Sequence, residues 1–201
     1  MFDASLRPII DKPMRAIGKA CLAVGLTANQ MTIIGFAFGI LAAILIISGY
    51  FHLAFACFCL NRLADGLDGA IARLTKPTDA GGFLDIIADF LFYSLIPFAF
   101  GVAFPEMRLA ALFLIFSFVG TGCSFLAYAI IAEKRNISTD IRGQKSFYYL
   151  GGLTEGTETI LVLGLVILWP AIFVPAAVVF GSLCWITTAT RIWAGWENFR
   201  E

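Results

Sequence analysis

DGLDGAIARLTKPTDAGGFLDIIAD, residues 65–89, sets Asp65, Asp68, Asp85 and Asp89 inside a chain that is otherwise strongly apolar. An unpaired ion moved toward hydrocarbon is too costly to keep without a purpose, so four such carboxylates demand a compensating partner. Asp65 and Asp68 are three residues apart and Asp85 and Asp89 four apart, so on helices each pair lines one face. Pro77, Gly81 and Gly82 make the segment between them a turn, and two antiparallel helices would bring the pairs together. A cage of hard oxygens suits Mg²⁺ or Mn²⁺, with substrate phosphates completing the coordination.

The rest of the chain decides the setting. Of 201 residues, 60% are hydrophobic and only 14% charged, and the mean hydropathy is +0.88. These values lie outside the range of soluble globular proteins and indicate an integral membrane protein. A spanning helix needs about 20 apolar residues, and the sequence offers roughly six such stretches. The expectation is therefore all-α: a six-helix transmembrane bundle over 31–201 preceded by an amphipathic interfacial helix over about 1–24, the whole forming one domain over 1–201. That first segment mixes Arg7, Lys12, Arg15 and Lys19 with Leu6, Ile9, Met14 and Ile17, and Pro8 and Pro13 are expected to limit its early continuity. No cleavable-signal pattern precedes the first long apolar run, which begins near Met31.

The expected spans are 31–50, a second from Leu53, a third from Phe83, then 109–131, 157–168 and 171–192. The second turns polar after Leu60, where Asn61, Arg62, Asp65, Asp68 and Arg73 follow, so it is expected to run into a polar cavity. With six spans, nearly every Lys and Arg falls on one side, Arg62, Arg73, Arg142, Lys145 and Arg191 among them, and only Arg108 on the other. By the positive-inside rule both termini and the aspartates are cytoplasmic. His52 is the sole histidine and reads as interfacial; Cys57 and Cys59 lack the partners a zinc or disulfide framework needs.

Asp65-x-x-Asp68-Gly69-x-x-Ala72-Arg73 followed by Gly81-x-x-x-Asp85-x-x-x-Asp89 resembles the signature of the CDP-alcohol phosphatidyltransferase family. Seven residues separate Arg73 from Gly81 where the usual pattern has eight, a change that a loop tolerates more readily than a helix. Thr27-Ala28-Asn29-Gln30-Met31-Thr32 is similar to a Thr-Pro-Asn-x-x-Thr segment that contributes to the nucleotide pocket in many members, with Ala28 in place of the proline. A plain helix cap explains Thr27 and Asn29 equally well.

The resemblance implies a bacterial inner-membrane enzyme of phospholipid synthesis, homodimeric, acting on lipid and not on nucleic acid. It would transfer a phosphatidyl group from CDP-diacylglycerol to a small polar alcohol and release CMP. Asp65, Asp68, Asp85 and Asp89 would hold two Mg²⁺ or Mn²⁺ ions, which neutralise the diphosphate. Asn29, Thr32, Asp68, Gly69, Ala72 and Arg73 would bind the CDP moiety, and Asp89 would be the general base for the acceptor hydroxyl. Metal ligation and base work by one carboxylate are in tension, because a bound metal lowers its basicity. Arg142 and Lys145 could bind an acceptor phosphate or simply face anionic lipid. Glu155 loosely resembles a Glu-Gly of choline and ethanolamine phosphotransferases, where it could meet an acceptor amine; it could equally serve a helix N-terminus. Two alternatives follow: transfer of phosphocholine or phosphoethanolamine from a CDP-amino-alcohol to diacylglycerol, and, from another class, a small ion transporter.

Overall fold

The computed structural model describes residues 3–135 and 152–200. These residues form α1 (Asp3–Ala23), α2 (Ala28–Ile47), α3 (Phe51–Leu74), α4 (Asp79–Ala103), α5 (Arg108–Lys134), α6 (Gly156–Leu168) and α7 (Phe173–Phe199). Local chemistry sets the starts. Thr27 and Gln30 close a reciprocal capping box on α2, with Gln30 N donating to Thr27 Oγ1 at 3.3 Å and Thr27 N to Gln30 Oε1 at 2.9 Å. Thr78, just after Pro77, caps α4 by accepting from Gly81 N at 3.1 Å. Proline opens the short 3-10 turns Pro105–Met107 and Pro170–Ile172, which lead into α5 and α7.

α2 lies along α3 and α4, α5 along α4 and α7, and α6 rests against α3. α1 is one helix running through Pro8 and Pro13, contrary to the expected interruption, and packs on α3: Met14 Sδ approaches Gly66, and Gly18 faces Leu74, Ala70 and Ile71. The core is rich in aromatic rings, from Phe92 beside Arg62 onward along α4. Phe100 stacks on Phe173 with centroids 4.5 Å apart, Phe58 tilts on Phe92 at 5.6 Å, and Ile46, Ile96 and Leu163 fill the remaining space. Outward, Ile33, Leu112, Phe116 and Val179 are exposed, as a lipid-facing surface requires. In the aromatic stretch 90–100, Phe92 and Phe100 are wholly buried, Phe90 and Tyr93 half-buried, and Phe98 faces out.

The six-span expectation is corrected here. Four helical segments among the described residues are long and apolar enough to cross a membrane: Ala28–Ile47, Asp79–Ala103, Pro105–Lys134 and Pro170–Phe199. α3 has the length, 24 residues, but Arg62, Asp65, Asp68 and Arg73 crowd its second half. α6 is apolar but has only 13 residues, about 20 Å at 1.5 Å per residue against a hydrocarbon core of about 30 Å.

Because lipid is as apolar as leucine, these helices associate through close packing, and small residues govern it. A Cβ on Gly39 of α2 would lie 2.7 Å from Phe92 Cδ2, and Phe92 is fully buried and cannot swing away. Gly39→Val is therefore expected to destabilise the bundle by about 1–3 kcal/mol through overpacking, read as a lowered unfolding midpoint of the detergent-purified protein.

Candidate functional site

The polar ends of α2, α3 and α4 converge. α3 presents Asp65 and Asp68 from successive turns, α4 presents Asp85 from its second turn, and one carboxylate oxygen of each lies within 4.8 Å of the other two. Asp68, 5% exposed, is fixed by α2: Thr32 Oγ1 donates to its Oδ2 at 2.6 Å. α3 lies outside the four spanning segments, and burial, followed by the Asp89 carboxylate, raises the Asp65 carboxyl above the usual range while Arg62 opposes the shift. Burial raises Asp68 too, with the Thr32 hydrogen bond opposing and Asp85 adding to it. Three converging hard oxygens with that electrostatic penalty fit a divalent cation, whose charge reverses it.

Asp89 stands apart from this trio. Its Oδ1 accepts from Arg62 Nη1 at 3.0 Å and its Oδ2 from Tyr93 OH at 3.3 Å, and the same Arg62 nitrogen lies 3.5 Å from Asp65 Oδ2. Arg62 is itself braced. Its Nε donates to Asn61 Oδ1 at 2.7 Å, Asn61 Nδ2 donates to Gly35 O at 2.8 Å, and its guanidinium carbon sits 4.4 Å from the Phe92 ring centroid and 5.4 Å from that of Tyr93.

In front of the trio opens a cleft of about 890 Å³, lined by Asn29, Thr32, Asp68, Gly69, Ala72 and Asp85 among others. A side chain on Gly81 would strike Asn29 Oδ1 at 2.9 Å, so the glycine lets Asn29 stand at the α4 N-terminus. Thr27, by contrast, is committed to capping α2. Arg73 does not line the cleft; it lies beside Gly69 and pairs with Asp11 of α1 at 3.4 Å. Glu155 is buried and engaged in a capping box with Glu158 at the start of α6, away from the cleft. Arg142 and Lys145 lie outside the described residues. Sequence reasoning passed over Arg62 and Tyr93. Their signal was helical spacing, three residues before Asp65 and four after Asp89. Arg62 and Arg191, counted among the cations of one side, lie largely within the bundle, Arg191 donating to Thr121 O at 3.1 Å.

A helical membrane bundle with a carboxylate trio beside an open cleft of mixed lining suits a metal-dependent enzyme working at a membrane. The sequence profile described as CDP-alcohol phosphatidyltransferase matches residues 25–193, and the chain belongs to that family. It is 50% identical over 197 residues to "Inner membrane protein YnjF" of Escherichia coli strain K12, covering 98% of this chain and 94% of the relative. It is 30% identical over 192 residues to the archaetidylinositol phosphate synthase of Pyrococcus horikoshii, covering 94% of each. Two crystal structures of the Mycobacterium tuberculosis phosphatidylinositol phosphate synthase share the fold. The one with CDP-DAG bound has a TM-score of 0.71 at 23% identity, covering 91% of this chain and 93% of that one. The one in complex with manganese and citrate has a TM-score of 0.70 at 24% identity, covering 91% and 88%. The protein is thus a multi-pass membrane enzyme that moves a phosphatidyl group from a CDP-linked lipid to the hydroxyl of a polar alcohol. Family membership removes the transporter alternative.

Thr32→Val removes the donor to a buried carboxylate and nothing else of similar size. It is expected to cost about 1–3 kcal/mol in stability, measured by thermal unfolding, with Thr32→Ser close to wild type.

Proposed function

We propose that this enzyme takes its phosphatidyl group from CDP-diacylglycerol and passes it to a phosphorylated polyol such as an inositol phosphate, releasing CMP. The names of the Pyrococcus and Mycobacterium relatives, both inositol phosphate lipid synthases, support the acceptor, and the CDP-DAG bound in the first Mycobacterium structure supports the donor. The observation that carries the reading is the carboxylate trio at the mouth of a cleft large enough for a nucleotide.

Asp65, Asp68 and Asp85 would hold a divalent cation, Mg²⁺ or Mn²⁺, which would supply charge neutralisation for the diphosphate and the departing CMP. Thr32 keeps Asp68 aimed at that position. Asn29, Gly69 and Ala72 receive the CDP moiety, the two small residues allowing it to approach the α3 backbone. Asp89 accepts the proton of the acceptor hydroxyl. As the carboxylate outside the trio, it escapes the acidifying effect of direct ligation, which relieves the conflict between metal binding and base work. The commitment of Glu155 to a helix cap removes support for an amine acceptor. Arg73 reaches the diphosphate only by leaving Asp11, an exposed pair that costs little to break. The bacterial inner membrane, with the cleft opening to the cytoplasm, is the setting that the Escherichia coli relative's name and the basic residues near the cleft favour.

Purified protein given CDP-diacylglycerol, inositol phosphate and Mn²⁺ is expected to release CMP, and EDTA to abolish it. Asp68→Asn is expected to lose at least about a hundredfold in rate, or about 2.7 kcal/mol of transition-state stabilisation. CMP release only from CDP-choline or CDP-ethanolamine with diacylglycerol would replace this reading with the amino-alcohol one.

A further inference from the structure

The arginine that closes the α3 motif is held beside the cleft by another helix. At helical spacing Arg73 falls between Gly69 and Lys76, which line the cleft, and Gly66 and Ala70, which face α1. Its guanidinium lies over Gly69, where a Cβ would meet Nη1 at 3.3 Å, and its Nη2 reaches the other way to Asp11 Oδ1 at 3.4 Å. Only a swing of the side chain past a residue without bulk separates the Asp11 position from the cleft.

The helix that carries Asp11 is fixed in place by packing. α1 lays Met14 against Gly66 and Gly18 against Ala70, Ile71 and Leu74, and Cys21 and Leu22 join the cluster around Met31, Leu67 and Ile71. Asp11 shares the face of α1 that bears Met14, Gly18 and Leu22, so it is presented to α3 whether or not Arg73 meets it. The pair itself is open to water, with 44% of the arginine side chain and 42% of the aspartate exposed. Such a pair is weak, and a diphosphate, with more charge and oxygens that match the guanidinium fork, outcompetes a single carboxylate.

We propose that Asp11 is a positioning residue that stores Arg73 at the rim of the cleft and competes with the donor's diphosphate for it, so that α1 sets how tightly the CDP moiety is held. Arg73 leaves Asp11 as the diphosphate enters and returns to it as CMP departs. This inference rests on the cleft receiving a CDP-linked lipid.

Detergent-purified protein is titrated with CDP-diacylglycerol in mixed micelles containing Mn²⁺, binding being followed by calorimetry, and CMP release is measured alongside with inositol phosphate as acceptor. Asp11→Asn is expected to lower both Kd and KM for CDP-diacylglycerol about two- to fivefold, the range an exposed ion pair allows, with kcat retained. Asp11→Glu, which keeps the charge, is expected to match wild type. Arg73→Gln is expected to weaken binding about tenfold, and adding Asp11→Asn to it to change nothing further. Unchanged or weaker binding in Asp11→Asn would overturn the role of Asp11. So would tightening that persists in the Arg73→Gln background, since it would mark only the loss of a negative charge near an anionic ligand. No binding by wild type would overturn the donor reading, and this proposal with it.

Discussion

Charge compensation in an apolar bundle governs this protein. Asp65, Asp68, Asp85 and Asp89 occupy helix positions whose neighbours along the chain are almost all hydrophobic. Each carboxylate must find hydrogen-bond donors, a cation, or both. The solutions differ from residue to residue. Asp68 is buried and takes the Thr32 hydroxyl, Asp89 takes Arg62 and Tyr93, and Asp65 lies between the trio and the arginine. Much of the surrounding structure serves these contacts: the polar ends of three helices must coincide, and α2 must approach α3 closely enough for a threonine to reach across.

That approach depends on side chains that are nearly absent. A Cβ on Gly35 would meet Ala64 Cβ at 3.0 Å and one on Gly39 would meet Phe92, so these glycines bring α2 against both helices that bear the aspartates. The same closeness lets the Gly35 carbonyl receive Asn61, which braces Arg62. Beyond Phe92, on which Arg62 rests, the packing along the same helices becomes wholly aromatic and aliphatic, around Phe58, Phe100 and Phe173. The bundle thus has a rigid apolar end and a polar end that it holds in register.

Much of this was legible in the sequence because periodicity and residue type act locally. Helix order, the Thr27 cap and the α3–turn–α4 hairpin follow from short-range rules, and the motif spacing located the aspartates. The span count was not legible in the same way: apolar stretches can be counted, but α6 ends after 13 residues and α3 turns polar midway, so neither meets the length and hydropathy of a span. The parting of Asp89 from the other three was hidden for a different reason. Four-residue spacing puts Asp85 and Asp89 on one face, yet the pairing that separates them depends on Arg62 arriving from another helix, a tertiary contact that no local pattern encodes. The partners of Arg62 and Arg191 were hidden for the same cause, since a positive-inside count assigns a side of the membrane and not a contact.

The division of the quartet also bears on how one small site can bind a polyanion and move a proton. A carboxylate that ligates a metal is a poor base, and one exposed to the open cleft is presented to the incoming diphosphate, whose charge repels it. Asp89, the proposed base, lies outside the trio and does not line the cleft, and Tyr93 and Arg62 donate to its two oxygens. Arginine also does more at that position than balance charge. A guanidinium donates along fixed directions and so sets the angle of the carboxylate as well as its charge. The orientation of Asp89 is then built into the fold before metal or substrate arrives.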